Sequence, residues 1–490
     1  MTFEIVFVLL SLLGMVAALI ADKMRPGMIL FSVVVLFLCA GILTPKEMLE
    51  GFSNKGMITV ALLFLVSEGI RQSGTLGQVI KKLLPQGKTT VFKAQLRILP
   101  SVAFISAFLN NTPVVVIFAP IIKHWAKSVN LPATKFLIPL SYVTILGGIC
   151  TLIGTSTNLV VHGMILEAGF EGFSMFELGK VGIFIAIAGI IYIFLFSKRL
   201  LPDARPDTAV PDEEIEEGEK FHRVEAVLGA RFPGINKKLK DFNFQRHYGA
   251  EVKEIKTRNG QRFVTNLDDV VLHEGDTLVV MADDTFIPTW GESSVFVLLT
   301  NGNEPDTSGK KKRWFALLLL VLMIVGATVG ELPVTKEMFP DIKLDMFFFV
   351  SITTIIMAWT NLFPARKYTK YISWDILITI ACAFAISKAM VNSGVADCVA
   401  GFIIGLSDDY GPHVLLAILF VITNLFTELI TNNAAAALAF PLALSISAQL
   451  GVSPTPFFVV ICMAASASFS TPIGYQTNLI VQGIGNYKFT

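Results

Sequence analysis

The stretch Leu109-Asn110-Asn111-Thr112-Pro113 lies inside a long apolar segment, and Ile430-Thr431-Asn432-Asn433-Ala434 matches it in the other half of the chain. In each copy a proline, Pro120 or Pro441, follows nine residues after the aligned asparagine, Asn111 or Asn432. Two further pairs share this separation of about 320 residues: Ser67–Gly74 with Ser387–Gly394, and Gly154–Leu159 with Gly474–Leu479. Matches at one fixed separation indicate an internal structural repeat.

The composition is that of a membrane protein. Of the 490 residues, 53% are apolar and 16% are charged, whereas soluble domains carry roughly 25% charged residues. Apolar runs of about 20 residues, the length that spans a bilayer, recur from Phe3 to Ile484. The net charge of +1 gives no reason to expect a nucleic-acid partner, and neither a Walker motif nor an HExxH motif occurs. We therefore predict a polytopic α-helical membrane protein without catalytic residues.

Lysine and arginine concentrate in the loops 22–26, 71–97, 123–135 and 198–205, which are therefore expected on the cytoplasmic side. Spans are expected near 3–21, 27–43, 57–70, 136–163, 180–198, 314–331, 345–363 and 375–391. The segment 95–122 lies between two basic loops, which predicts a re-entrant hairpin, and its repeat counterpart lies near 412–448. The basic run Lys310–Arg313 predicts that the second half enters the membrane from the cytoplasmic side. The second half is therefore expected to cross the membrane in the opposite orientation to the first. Inverted repeats are typical of secondary transporters.

The pattern divides the chain into three parts. Residues 1–200 form the first membrane repeat, 201–312 a cytoplasmic insertion, and 313–490 the second repeat. Within the insertion, the acidic and proline-containing segment 203–219 is expected to be a linker. A small α/β domain of about 218–302 follows, with strands at 223–228, 251–256 and 277–281, a helix at 236–241 and a turn at 258–260. The span 180–198 has no counterpart after Tyr487, so a last helix is expected to be missing from the sequence.

The four polar clusters of the repeat carry the candidate chemistry. Polar groups inside apolar segments are costly unless they are paired or line a cavity. Broken helix ends at the two asparagine pairs would present N–H groups to an anion and carbonyl groups to a cation. Unwound segments near Gly154 and Gly474 would offer carbonyl oxygens to sodium. The alternative is close packing between helices, which also uses small and hydroxyl residues; four symmetric clusters favour a binding site.

Other polar residues are weaker candidates. Glu68 and Lys388 occupy equivalent positions in the repeats, and Glu428 precedes the second asparagine pair. An intramembrane carboxylate can act in a proton relay, although Glu68 and Lys388 lie near predicted helix ends, where long side chains also reach the interface. The histidines are scattered and the cysteines lack metal-site spacing.

The hairpin and unwound motifs resemble those of the divalent anion:sodium symporter family of sulfate and dicarboxylate carriers. That family has Ser-Asn-Thr at each hairpin tip, where this chain has Asn110-Asn111-Thr112 and Thr431-Asn432-Asn433. The resemblance implies two sodium sites, the first formed by Ser106, Asn110, Asn111 and Gly154, and the second by Thr427, Ile430, Asn432 and Gly474. It implies substrate contacts from Asn110, Asn111, Thr112, Thr155, Thr431, Asn432, Asn433 and Tyr475. Tyr475 stands where the family has threonine, which suggests a smaller anion.

The resemblance also implies an elevator-type carrier that works as a homodimer in the inner (plasma) membrane, with the insertion and the C-terminus in the cytoplasm. The insertion itself resembles the TrkA-C domain of potassium transport systems at 229–241, 248–260 and 272–280. Such domains bind small regulatory ligands, although a structural spacer or an oligomerisation module is the alternative. Together with the phrase at 108–115, this favours sulfate or a similar oxyanion over a dicarboxylate. A proton-coupled or exchanging carrier, and an anion sensor without transport, remain as alternatives.

Overall fold

The computed structural model describes residues 3–21, 23–203, 221–229, 232–257, 261–283, 286, 290, 295–300, 310–339, 342–405, 411–471, 474–485 and 487. The first membrane part contains helices α1 (Phe3–Ile20), α2 (Pro26–Cys39), α3 (Pro45–Glu50), α4 (Lys55–Gln72), α5 (Thr75–Leu83), α6 (Val91–Ser106), α7 (Asn111–Ser128), α8 (Thr134–Gly148), α9 (Ser156–Glu167) and α10 (Gly179–Leu200). A short helix, α11 (Phe244–Tyr248), lies in the insertion. The second membrane part contains α12 (Lys310–Gly330), α13 (Pro333–Met338), α14 (Met346–Trp359), α15 (Tyr368–Tyr371), α16 (Trp374–Asn392), α17 (Val395–Gly405), α18 (Pro412–Leu429), α19 (Asn432–Leu450), α20 (Thr455–Ser466) and α21 (Gln476–Gly485).

Seven helical stretches of the described residues are long and apolar enough to cross a membrane. They are Phe3–Ile20, Pro45–Gln72, Gly179–Leu200, Lys311–Gly330, Trp374–Asn392, Pro412–Leu429 and Asn432–Leu450. Four further apolar helices, α2, α14, α17 and α20, are shorter. The architecture agrees with the predicted polytopic helical membrane protein.

Three expected spans differ from the structure in their bounds. α2 ends at Cys39, because Gly41 has the left-handed φ of 73° that terminates a helix, and α14 ends at Trp359 before Asn361 with φ of 52°. The expected span 136–163 consists of two helices, α8 and α9, separated by the non-helical residues 149–155. Apolar composition alone does not show such an interruption, since these residues stay buried among other helices.

Each asparagine pair lies where one helix ends and the next begins. Residues 107–110 separate α6 from α7, and Ile430 and Thr431 separate α18 from α19. Asn110 has φ of −55° and ψ of 141°, and Thr431 has φ of −70° and ψ of 148°. Both conformations are extended, so the helix cannot continue through either tip. We name α6–α7 hairpin 1 and α18–α19 hairpin 2.

The described part of the insertion forms one antiparallel sheet. Its strands are β1 (Phe221–Leu228), β2 (Glu251–Lys256), β3 (Arg262–Phe263), β4 (Thr277–Asp283) and β5 (Phe296–Thr300), in the order β3-β2-β4-β1-β5. The expected helix at 236–241 is wrong: its backbone pairs instead with the segment before β4, where Asn236 N–H donates to the carbonyl of Leu272 at 2.7 Å. Only a 3₁₀ turn, Leu239–Asp241, remains there. The expected linker beyond Asp203 and the turn at 258–260 lie outside the described residues.

Three charged side chains join this sheet to hairpin 1. Lys123 of α7 donates to both carboxylate oxygens of Glu225 on β1, at 3.0 and 2.8 Å, and Lys256 of β2 donates to the same carboxylate at 3.3 Å. Burial by itself would raise the pKa of the Glu225 carboxyl, but Lys123 and Lys256 outweigh it and lower the pKa to about 2. Val227 of β1 packs beside them into the core of the membrane part. We name Lys123, Glu225 and Lys256 the docking cluster.

Replacing Lys123 with methionine is expected to loosen the sheet from hairpin 1. The side chains of Lys123 and Glu225 are 33% and 20% exposed, so the pair lies between an exposed one, worth up to about 1 kcal/mol, and a buried one, where loss of a partner costs about 3–5 kcal/mol. A cost of about 2 kcal/mol corresponds to roughly 30-fold faster amide exchange in β1, if exchange follows undocking. Hydrogen-exchange mass spectrometry of the full chain measures this rate.

The matched control is Lys240→Met, because Lys240 pairs with Asp269 at 2.8 Å between two exposed turns of the insertion. Unchanged exchange in Lys123→Met, or an equal effect of Lys240→Met, would contradict the docking role.

The contribution of Glu225 to docking depends on pH, and the sign of this dependence follows from its pKa. Because the folded pKa of Glu225 is lowered, its contribution to docking is complete above the ordinary value of 4.5 and is lost as the pH falls through about 2.

Candidate functional site

Four helices begin at the same place in the membrane part. Hairpin 1 contributes the first residue of α7 and hairpin 2 that of α19, while α9 and α21 begin after the non-helical segments of the two repeats. Thr112 of α7 donates to Gln476 of α21 at 3.3 Å, and Ser156 of α9 donates to Asn433 of α19 at 3.3 Å. Each helix start carries unsatisfied N–H groups and a partial positive charge. Their meeting point is therefore suited to an anion.

Each hairpin tip forms hydrogen bonds with the other repeat. In hairpin 2, the amide of Asn432 donates to the Thr157 hydroxyl at 2.7 Å, and the Asn433 amide oxygen accepts from Thr157 at 3.2 Å. In hairpin 1, the amide of Asn111 contacts the hydroxyl of Tyr475 at 2.6 Å. The repeats thus form one shared site and not two separate ones.

Tyr475 lies between the two tips. Its hydroxyl lies 2.6 Å from the Asn111 amide and 3.0 Å from the Thr155 hydroxyl, and the Asn432 side chain is a further hydrogen-bonding neighbour. By the repeat separation, Tyr475 is the counterpart of Thr155. The longer side chain of Tyr475 lets its hydroxyl reach Asn111 of hairpin 1. The shorter Thr155 does not reach hairpin 2 in the same way, and its hydroxyl contacts Tyr475 instead.

The Asn111 amide adjoins a cluster of neutral oxygens. One of its two terminal positions lies 2.8 Å from Ser106 Oγ, 3.1 Å from the Thr144 carbonyl oxygen and 3.3 Å from the Gly154 carbonyl oxygen. If the amide oxygen occupies this position, four oxygens face one another, an arrangement that a hard cation stabilises. The structure therefore brings Ser106, Asn111 and Gly154 together, and it adds the carbonyl of Thr144.

The second set of expected cation ligands is only partly assembled. A Cβ on Gly474 would lie 2.6 Å from the carbonyl oxygen of Thr427, so these two residues are in close contact. The Thr427 hydroxyl donates to the carbonyl of Ala465 at 2.6 Å. Ile430 is buried at the tip, whereas the side chain of Asn432 is directed to Thr157 rather than to this group. The two repeats thus place equivalent residues in different hydrogen-bond arrangements.

A buried polar network recurs in the two non-helical segments. Asn158 donates to the carbonyl of Thr151 at 2.8 Å, and its counterpart Asn478 donates to the carbonyl of Thr471 at 3.4 Å. The hydroxyls of Thr151 and Thr471 in turn accept the backbone N–H groups of Gly154 and Gly474, each at 3.2 Å. Local bonds of this kind satisfy the backbone groups that an interrupted helix leaves free. Within these two segments, the repeat in sequence is therefore also a repeat in hydrogen bonding.

Glu428 holds the second non-helical segment in place. Its carboxylate accepts the backbone N–H groups of Phe469, Ser470 and Thr471, each at 2.9 Å. By the separation of the asparagine pairs, its counterpart in hairpin 1 is Ala107. The fixed carboxylate is therefore a feature of the second repeat, in the immediate neighbourhood of Gly474.

The other ionisable candidates lie apart from this site. Glu68 bonds with its neighbours Arg71, at 2.7 and 2.8 Å, and Gln72, at 2.6 Å. Lys388 is exposed. Neither side chain is brought to the hairpin tips.

A cavity adjoins the site on the side of hairpin 1. It is bordered by Asn110 and by Ser156 at the start of α9, and Ser67 of α4 and Met323 of α12 face them. Its remaining lining is apolar, and consists of Val60, Leu63, Val66, Phe108, Leu109, Ile153, Leu159 and Leu320. Asn110 and Thr431 thus have different surroundings, since Thr431 caps α19 by accepting the N–H of Ala434 at 3.4 Å.

Several contact residues were not predicted from the sequence. Thr157, Ser156 and Gln476 stand inside the repeated motifs but are not among the expected site residues, and the Thr144 carbonyl lies outside the motifs. The position of the first three immediately after the non-helical segments was the available signal, because such residues form the first helical turn. A backbone carbonyl ligand cannot be predicted from residue type, because every residue has a carbonyl group.

Apolar spanning helices that meet at a buried polar site are the arrangement of a membrane transporter, and the family and relatives of this chain are transporters rather than enzymes. The chain belongs to the citrate transporter family (CitMHS), whose sequence profile matches residues 16–448 and 342–490. It is 29% identical to an uncharacterized transporter of Synechocystis over 94% of this chain and 88% of that protein.

Several relatives have names that mention an anion. A probable sodium/sulfate cotransporter of Chlamydomonas reinhardtii is 23% identical over 96% of this chain and 84% of its own length. A sodium-dependent dicarboxylate transporter of Staphylococcus saprophyticus is 28% identical over 24% of this chain and 23% of its own length.

Proposed function

We propose that this transporter carries a small divalent anion together with sodium, with sulfate or a similar oxyanion favoured and a dicarboxylate next. The meeting of four helix N-termini carries this proposal. Such ends attract an anion without a charged side chain, and Thr112, Ser156, Asn433 and Gln476 bring hydroxyl and amide groups to the same point. The names of the sulfate and dicarboxylate relatives support this choice of substrate.

Sodium is the favoured coupling ion because the ligands around Asn111 are neutral oxygens. Ser106, Thr144 and Gly154 approach the amide within 3.3 Å. A monovalent cation there would offset part of the charge of a divalent anion nearby. The second cation would be bound by Thr427, Ile430, Asn432 and Gly474, once the Asn432 side chain turns from Thr157.

The remaining features of the proposal rest on the resemblance to the divalent anion:sodium symporters. The hairpins would move as an elevator against the other helices, in a homodimer in the inner (plasma) membrane, with the sheet domain in the cytoplasm. That domain would be a TrkA-C domain that binds a small regulatory ligand. The docking cluster supports a regulatory link, because it joins the sheet to hairpin 1 through Lys123 and Glu225.

Uptake of radiolabelled sulfate and of succinate into proteoliposomes tests the proposal. We expect one of the two anions to accumulate under an inward sodium gradient, and not when choline replaces sodium. Asn111→Ala and Asn432→Ala should each reduce this uptake by about 100-fold, because truncation leaves buried oxygens unpaired at about 1–3 kcal/mol each. Asn392→Ala is the control, since Asn392 bonds Ile42 and Glu47 at the surface.

Other outcomes would favour the alternatives. Uptake that is insensitive to sodium and driven by a pH gradient would favour a proton-coupled or exchanging carrier. Binding of either anion without flux would favour a sensor. Uptake that survives in both asparagine variants would contradict the site.

A further inference from the structure

We propose that Asn111 and Tyr475 form a hydrogen-bond relay that makes the Tyr475 hydroxyl a donor toward the anion only when a cation is bound at hairpin 1. The inference rests on the proposed function, because it assumes a cation among the oxygens around Asn111. It goes further in naming the pair of side chains through which cation binding strengthens anion binding.

The Asn111 amide fits its neighbours unaided in one orientation and needs a cation in the other. With the nitrogen directed inward, the amide donates to the carbonyl oxygens of Thr144 at 3.1 Å and Gly154 at 3.3 Å, and its oxygen accepts the Tyr475 hydroxyl at 2.6 Å. This arrangement satisfies both ends of the Asn111 amide without a cation. In this arrangement the Tyr475 hydroxyl donates its proton to Asn111 and cannot donate it to an anion.

With the oxygen directed inward, the amide oxygen faces Ser106 Oγ at 2.8 Å together with the two carbonyls. Three of these oxygens accept hydrogen bonds and have no proton to share, so a cation is needed to hold them together. The amide nitrogen then donates to the oxygen of Tyr475 at 2.6 Å. Tyr475 becomes an acceptor toward Asn111. The phenol keeps its proton, and its O–H group can now donate a hydrogen bond to another acceptor.

The O–H group of Tyr475 that no longer bonds Asn111 lies beside the start of α9. The Tyr475 hydroxyl lies 3.0 Å from Thr155 Oγ1, which precedes the first residue of α9. An anion at the meeting point of the helix starts would therefore gain a phenol donor only in the cation-bound orientation. A phenol has one proton, so Asn111 and the anion compete for it in the absence of the cation.

The relay exists in one repeat only. The counterpart of Asn111 is Asn432, which donates to Thr157 at 2.7 Å. The counterpart of Tyr475 is Thr155, whose hydroxyl reaches Tyr475 and not Asn432 in this structure. Asn432 also neighbours the Tyr475 hydroxyl, but its amide nitrogen already donates to Thr157, so we assign this coupling to the cation at hairpin 1.

Tyr475→Phe in the full-length protein tests the relay. The measurements are the Kd for sulfate and for succinate at saturating sodium and in choline, and the rise in Tm that sodium alone produces. In the wild type we expect sodium to tighten binding of one anion. Tyr475→Phe should lose about 10- to 100-fold of that tightening, the value of a hydrogen bond to a charged group, while sodium still raises its Tm.

Tyr487→Phe is the matched control, because the Tyr487 hydroxyl bonds the backbone of Thr134 and Ile138 away from the hairpin tips. Full sodium-dependent tightening in Tyr475→Phe would overturn the relay and leave the proposed function standing. A wild-type protein whose anion affinity ignores sodium would overturn both.

A spectroscopic measurement covers the case in which Tyr475→Phe does not fold. The Raman bands of tyrosine depend on whether the phenol donates or accepts a hydrogen bond. A sodium-minus-choline difference spectrum of the wild-type protein should therefore show a change in these bands without any anion. An absent change would overturn the relay.

Discussion

Gly474→Ala is expected to reduce sodium-driven anion uptake strongly. A Cβ at this position would lie 2.1 Å from Ser468 Oγ and 2.6 Å from the carbonyl oxygen of Thr427. The Thr427 carbonyl belongs to the backbone of hairpin 2 and cannot turn aside as a side chain can. Overpacking of this kind costs about 1–3 kcal/mol, which corresponds to a cation affinity weakened by about 5- to 150-fold. Proteoliposome uptake and the sodium-induced rise in Tm measure the effect.

Gly14→Ala is the matched control for this substitution. Gly14 lies inside α1, and a Cβ there would meet no atom within 4 Å. We expect its uptake to equal that of the wild type or to rise slightly with stability, since alanine favours a helix. Normal sodium dependence in Gly474→Ala would show that the second non-helical segment does not contribute to cation binding.

Glu428→Gln is expected to lower both the Tm and the rate of uptake. The carboxylate accepts three backbone N–H groups at 2.9 Å, from Phe469, Ser470 and Thr471. An amide would direct its own N–H groups at one or more of these donors. A hydrogen bond to a charged group contributes about 1.5–3 kcal/mol, so loss of even one should loosen the segment that leads to Gly474. Thermal unfolding and sodium-driven uptake of the same preparation check both effects.

Glu68→Gln is the control, because Glu68 bonds only nearby side chains of α4 among the interactions described above. The result also separates the sodium-coupled proposal from the proton-coupled alternative. If Glu428→Gln keeps its Tm and its response to sodium but loses transport driven by a pH gradient, then Glu428 carries protons and the anchoring role is contradicted.

The sheet domain is attached to the same helix that begins at the site. α7 starts at Asn111 and carries Lys123, which bonds Glu225 of β1. A ligand that shifts β1 or β2 would therefore act on Lys123 through Glu225 and Lys256. Because α7 is a continuous helix apart from Pro120, its start at the site and its docked part belong to one element. This gives the proposed regulation a direct physical route.

The hairpins could be predicted from sequence because their signals are local. Asparagine pairs inside apolar segments, each followed by a proline, mark places where a spanning helix is interrupted. Asn110 and Thr431 do have extended backbones at those places. Where a positive φ ended a helix early, as at Gly41 and Asn361, hydropathy alone placed the boundary too late.

The helix expected at 236–241 failed for a related reason. Its residues have helical propensity, but the N–H of Asn236 bonds Leu272, some distance along the chain. Tertiary pairing overrides a short local preference, because a single helical turn has little stability of its own.

The sequence by itself determined the membrane class and the repeat, and it singled out the polar residues of the proposed site, since apolar length and fixed spacing are properties of the chain alone. Only the tertiary structure decided how the repeats are paired, with Asn111 against Tyr475 and Asn432 against Thr157. It alone added the Thr144 carbonyl and the contact of Lys123 with Glu225. These contacts join residues far apart in sequence, or use backbone atoms that every residue has, so neither residue identity nor spacing can specify them.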